Sequence, residues 1–110
     1  MANPNEGHFA IANMEKFRDV TVLTQNIDGL HQRSGSTNVL ELHGSIIRIK
    51  CTVCDFSGDI IEDFESLPPK CECGNILRPD VVWFGEALSE EVWKNAIKEA
   101  SACDVMIIAG

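Results

Sequence analysis

Two close pairs of cysteines, Cys51-x-x-Cys54 and Cys71-x-Cys73, constrain the chain more than any other feature. Two such knuckles about 15 to 20 residues apart can supply four thiolates to one zinc ion. A four-thiolate shell is closed and leaves no position for water or substrate, so the expected zinc, held by Cys51, Cys54, Cys71 and Cys73, is structural. The second knuckle is one residue shorter than the usual pair. A disulfide or four separate thiols are the competing readings. Five cysteines, an odd number, fit a metal site in a reducing compartment better than a disulfide framework, and the cytoplasm is the expected location. The fifth, Cys103, follows a helical pattern and precedes an apolar run, where a small buried hydrophobe is expected. Between the pairs, apolar stretches such as Ile60-Ile61 lie among acidic residues, and Leu67-Pro-Pro-Lys70 forbids a regular element. Too little apolar surface is available there for an independent core, so metal must supply much of the order.

The sequence on either side of this segment has a different character. Val20-Thr-Val-Leu-Thr24 is mostly β-branched and reads as a strand buried on both faces, as in a parallel sheet between helices. Gln25, Asn26 and Asp28 follow at its carboxyl end, where open α/β sheets bind ligands, and Gly29 allows a turn. Glu41-Leu-His-Gly-Ser45 comes about a dozen residues later, a loop length that lets His43 fold back beside the first patch. Val39, Leu40 and Leu42 are expected to be partly buried around His43.

Upstream, a helix is expected from about Asn5 to Phe17, capped by Asn3 or Asn5, with Pro4 at its start and Ala10, Met14 and Phe17 packed on the strand at 20–24. His8 on that helix is given no functional role. Ile46, Ile47 and Ile49 mark a strand ending at Cys51. Beyond the cysteines, Val81, Val82, Trp83 and Phe84 read as an edge or crossover strand closed by Gly85. Ser89 then caps a helix with Glu90 and Glu91 in its first turn and a buried stripe of Val92, Trp93, Ala96, Ile97 and Ala100. Asp104–Gly110 reads as a further apolar strand, in a right-handed parallel crossover.

A chain of 110 residues is about one small domain with a modest core. Its net charge of -8 and pI near 4.7 argue against a nucleic-acid partner and favour a basic peptide. No run of about 18 apolar residues marks a membrane span, and no leader pattern opens the chain, so a soluble protein without a signal peptide is expected.

Four blocks, in order, resemble the sirtuins, the NAD-dependent protein deacylases. They are Thr24-Gln-Asn-Ile-Asp-Gly-Leu-His31, Leu42-His-Gly-Ser45, the four paired cysteines, and Leu77-Arg-Pro-Asp-Val-Val-Trp-Phe-Gly-Glu86. The resemblance implies an α/β fold, a partial Rossmann-like parallel sheet with an inserted small zinc-binding module. The expected division is 1–48 for the Rossmann-like segment with the catalytic loop, 49–78 for the zinc module and 79–110 for the return to the sheet. It implies NAD and one zinc ion as cofactors, and acyl transfer from acylated lysine peptides or proteins to ADP-ribose with release of nicotinamide.

Residue by residue, the resemblance makes His43 the general base, a task that suits histidine as a residue type. Asn26 orients the ribose and a water, Gln25 contacts the ribose, and Ile27 with Asp28 holds the carboxamide. Val82, Trp83, Phe84 and Gly85 pair with the substrate backbone and wall the acyl-lysine tunnel. Arg78 and Asp80 brace the join between the two domains. Read without the family, Asn26 to Asp28 is a common turn former, and one of Trp83 and Phe84 is expected in the core. Neither the glycine-rich phosphate turn of a sirtuin nor its later adenosine contacts appears in the sequence. The missing parts of the core are expected partners, and the chain is expected to be inactive alone. The alternative is a non-catalytic, zinc-stabilised peptide-binding module.

Overall fold

The computed structural model describes residues 2–60 and 67–110; the second isoleucine of Ile60-Ile61 lies outside them. Helix α1 spans Glu6–Met14. Its start follows from local chemistry: extended Asn5 accepts from the backbone N–H groups of Gly7 and His8, while the His8 ring takes the Asn5 N–H in return. The helix stops short of Phe17, which is 75% exposed. It packs against a second helix rather than on the first strand as expected. That helix, α2, spans Leu30–Arg33 and is entered through Gly29 at φ 67°, a left-handed conformation open to glycine at little cost. Ser34 Oγ donates to the carbonyls of His8 and His31, and the His8 and His31 rings meet at 4.8 Å, fastening the two helices.

Strand β1 (Val22–Thr24) pairs in parallel with β2 (Val39–Glu41), Val22 opposite Val39 and Thr24 opposite Glu41. Val39, Leu40 and Leu42 are half-buried, as expected, although the run was too short to read as a strand. Only Thr24 of β1 is buried and Leu23 is partly exposed, so the two-sided burial expected of this strand is not met.

The longer strand β3 (Gly44–Cys51) is central to an antiparallel sheet, between β4 (Ser57–Asp59) and β5 (Leu77–Val81). Gly44 stands opposite Val81 and Cys51 opposite Leu77, with an irregularity between Ser45 and Ile49. The second apolar strand therefore lies at Leu77–Val81, not at Val81–Phe84. Residues up to Val81 have β3 as a ladder partner; after a last bond from Val82 N–H to the His43 carbonyl, the chain leaves the sheet and turns. Helix α3 (Glu90–Ala102) starts at Ser89, whose side chain accepts from Val92 N–H, and packs on β2. Only the small-residue edge of its expected stripe is covered: Ala96 is buried, Val92 and Ala100 half-buried, Trp93 and Ile97 exposed.

Asp104–Gly110 forms no strand, and Val105, Ile107 and Ile108 are exposed. An apolar run becomes a strand only beside another strand that takes up its N–H and C=O groups, and among the described residues none pairs with it. Cys103 is likewise exposed rather than buried, its thiol donating to the Ala100 carbonyl at 3.2 Å.

Arg48 ties the two sheets together. Its guanidinium lies 2.6 Å from Glu41 of β2 and 3.4 Å from Asp80 of β5, and Lys50 reaches Asp80 at 3.2 Å. Asp80 itself bonds only within the antiparallel sheet, to Arg48 and Lys50 of β3, and the bond between the sheets is Arg48 to Glu41; Arg78 serves the turn beyond β5. Gly44 allows the close crossing: at φ 77° it lies where an added Cβ would be 2.0 Å from the Asp80 carbonyl oxygen.

Candidate functional site

Ile49, Cys51, Cys71 and Leu77 form a buried cluster with Cys54 packed against it, so the core of the antiparallel sheet is built around the cysteines. The four sulfurs of Cys51, Cys54, Cys71 and Cys73 lie within 4.8 Å of one another, with Cys51 to Cys73 at 3.5 Å and Cys54 to Cys71 at 3.6 Å. A zinc tetrahedron with bonds of about 2.3 Å needs sulfurs about 3.8 Å apart, so the set fits one such ion. The shortened knuckle closes through a tight turn at Gly74, with Gly74 N–H on the Cys71 carbonyl and Cys71 N–H on the Asn75 carbonyl.

Backbone N–H groups of Val53 and Cys54 point at Cys51 Sγ, both at 3.4 Å, and Asn75 Nδ2 donates to Cys73 Sγ at 3.4 Å. The Asn75 side chain is the main reason the Cys73 thiol is pulled down to about 6. At Cys54 the lowering effect of the Phe56 backbone is outweighed by the sulfurs of Cys51, Cys73 and Cys71, which push it up to about 12. Four sulfurs this close cannot all be anions unless a cation sits among them, and that is the chemistry of a metal centre.

The second site is an open cleft of about 410 Å³ lined by Gln25, Asn26, Ile27, Asp28, His43, Val81 and Val82. It forms where β1 and β2 end together. Leu42 N–H bonds the Thr24 carbonyl and Ile46 N–H the Ile27 carbonyl, at 2.9 and 2.8 Å, so the loop after β1 is strapped to the start of β3. Thr24 Oγ1 accepts from Asn26 N–H at 3.1 Å, and Asp28 Oδ1 accepts from Leu30 N–H at 3.1 Å. Asp28 is thus the turn former that its residue type suggests, and it also lines the cleft.

His43 is held from two sides. Its Nδ1 lies 3.0 Å from the Gln25 carbonyl, and its own carbonyl accepts from Val82 N–H at 2.9 Å. A carbonyl only accepts, so Nδ1 carries the hydrogen and the neutral ring keeps its free lone pair on Nε2.

Of the residues singled out from the sequence, Gln25 to Asp28, His43 and Val82 come together here. Trp83, Phe84 and Gly85 do not line the cleft. They occupy a turn with Gly85 at φ 86°, Trp83 half-exposed and Phe84 fully exposed, so neither aromatic is core. Val81, which lay in the expected strand and in the matched block but was given no site role, also lines the cleft. His31, within the matched block, faces α1 instead, where burial and then the neighbouring His8 hold its pKa below the ordinary histidine value.

The profile of the Sir2 family matches residues 1–110. The chain is 50% identical to NAD-dependent protein deacylase 2 of Pyrobaculum aerophilum, over 99% of this chain and 45% of that protein. It is 49% identical to NAD-dependent protein deacylase 1 of Caldanaerobacter subterraneus, over 99% of this chain and 46% of the relative. The chain therefore spans about half the length of the curated relatives it matches. Among solved structures, a Sir2 homologue complexed with NAD superposes with TM-score 0.80 at 45% identity, over 89% of this chain and 40% of that one. A complex of Sir2 with a p53 peptide and NAD+ superposes with TM-score 0.80 at 39% identity, over 92% of this chain and 45% of that one.

Proposed function

This chain belongs to the Sir2 family, and from that premise we propose that it is the part of an NAD-dependent protein lysine deacylase that carries the general base and the structural zinc. The observation that carries the reading is His43: its imidazole lines the cleft, with Nδ1 bonded to the Gln25 carbonyl and Nε2 left as a proton acceptor. The cleft suits a nicotinamide riboside. Gln25, Asn26, Asp28 and His43 supply hydrogen-bonding side chains, and Ile27, Val81 and Val82 an apolar wall.

When bound, NAD supplies the electrophilic ribose carbon and the hydroxyls on which the acyl group ends. His43 Nε2 accepts a proton from a ribose hydroxyl. Asn26 and Gln25 orient that ribose. A carboxyl oxygen of Asp28 would accept an N–H of the carboxamide beside Ile27. Of the stretch Val82 to Gly85, the Val82 carbonyl and the backbone of Phe84 and Gly85 are left to meet an acylated lysine peptide, in keeping with the solved Sir2 complex with a p53 peptide. The zinc orders the antiparallel sheet and takes no part in the chemistry, because four thiolates close its shell.

The test is made in the whole protein. His43→Gln is expected to lower turnover about a hundred- to ten-thousandfold, the range for a lost general base, with zinc content and melting temperature unchanged. A variant that kept more than about a tenth of wild-type turnover would transfer the role to Asn26 and its bound water.

A further inference from the structure

We propose that Arg78 is a positioning residue for the peptide substrate, holding the turn at residues 82–86 in the shape that presents Phe84 and Gly85 beside the cleft. The inference rests on the deacylase reading and adds to it a residue that touches neither cofactor nor acyl group.

Arg78 stands on β5 between the two sites: Leu77 before it packs with the cysteines, and Val82 after it lines the cleft. Its guanidinium makes two parallel bonds with Glu86, Nη1 to Oε1 at 2.6 Å and Nη2 to Oε2 at 2.8 Å. Nη2 also donates to the Val81 carbonyl at 2.7 Å, and Cζ sits 4.1 Å from the centre of the Trp83 ring. Glu86 in turn accepts from Trp83 N–H at 3.0 Å, and its own N–H bonds the Trp83 carbonyl at 3.0 Å.

The turn is thus closed at both ends by one ion pair and stacked on the cation that forms it. With the Trp83 ring on the guanidinium and its backbone N–H and C=O both used, Phe84 is left fully exposed as the outward aromatic. A planar fork that bonds a carboxylate twice while stacking on an indole is particular to arginine; a lysine ammonium is a point charge and cannot do both. The pair persists at neutral pH, since Arg78 first, and then the Trp83 N–H, hold the Glu86 carboxyl down to about 2.

The test compares wild type, Arg78→Lys and Arg78→Met in the whole, zinc-loaded protein with two substrates: an acetylated peptide with flanking residues on both sides, and an acetyl-lysine amide with none. Both variants should raise the KM for the peptide about tenfold, the size expected when an ordered backbone contact or two is lost. The KM for NAD, the kcat at saturating peptide, the zinc content and the KM for the amide should stay within about twofold, because none of them depends on the turn. An unchanged peptide KM would overturn the inference, as would a lysine variant that behaves as wild type. Equal losses with both substrates, or a shifted KM for NAD, would also overturn it by marking a general structural role. A wild-type protein without NAD-dependent deacylation removes the deacylase reading and this inference together; an active wild type with unaltered variants removes this inference alone.

Discussion

At the level of single residues, His43 and Asp28 share a cleft but make separable forecasts. In the proposed function His43 takes a proton, so its loss is expected to fall on turnover. The role proposed for Asp28 is cofactor placement, so Asp28→Ala should raise the KM for NAD more than it lowers kcat; equal effects on both would argue against a cofactor contact. Glu86 gives a forecast in pH. Its folded carboxyl lies at about 2 against an ordinary 4.5, chiefly through the Arg78 ion pair. A depressed carboxylate stabilises the fold fully above the ordinary value, and the benefit is lost as pH falls through the folded one. The stability gap between wild type and Glu86→Gln should therefore be constant from about pH 6 to 8 and shrink steadily from about 4.5 towards 2. A gap as wide at pH 3 as at pH 7, read from urea midpoints of the two proteins, would show that the Arg78 pair does not form.

At the level of elements, β3 and β5 link the metal centre to the cleft. β3 begins one residue after His43 and ends on Cys51; β5 begins beside the cysteines at Leu77 and ends at Val81 in the cleft wall. The antiparallel sheet has little apolar burial other than Ile49 and Leu77 over the sulfurs, so metal-binding energy there is largely folding energy. One zinc per chain is expected by elemental analysis, and Cys51→Ser with Cys71→Ser should abolish it. Chelation should raise amide exchange in β4 and in the Cys71–Leu77 segment well before it does so in β1 and β2. Uniform exchange, or zinc kept by the double variant, would count against the tetrathiolate centre.

At the level of the whole molecule, the cleft stands at the end of a parallel pair that has two strands among the described residues, and is open to solvent. Holding a dinucleotide in attack geometry is where much of an enzyme's rate comes from, and no glycine-rich phosphate turn occurs in these residues. The purified chain of 110 residues is therefore expected to release little nicotinamide from NAD and an acetylated peptide. Robust release would show that the Gln25–Asp28 loop and His43 suffice.

Local chemistry made part of this legible in the sequence. Asn5 and Ser89 cap their helices because a short polar side chain bonds N–H groups two or three residues on, and the cysteine spacing carries its own geometry. The loop after β1 and His43 were readable as partners because both follow apolar strand residues at a distance a short connection can close. Tertiary contact decided the rest. Whether Val82 to Phe84 or Leu77 to Val81 became the strand depended on which residues had β3 beside them. Whether Asp104–Gly110 paired at all depended on a neighbour that local sequence does not encode. Where Arg78 would point was settled only once β5 and the following turn brought Glu86 and Trp83 around its guanidinium. A cap or a metal knuckle closes within a few residues, whereas a strand or an ion-paired turn takes its energy from partners whose distance along the chain bears no relation to their distance in space.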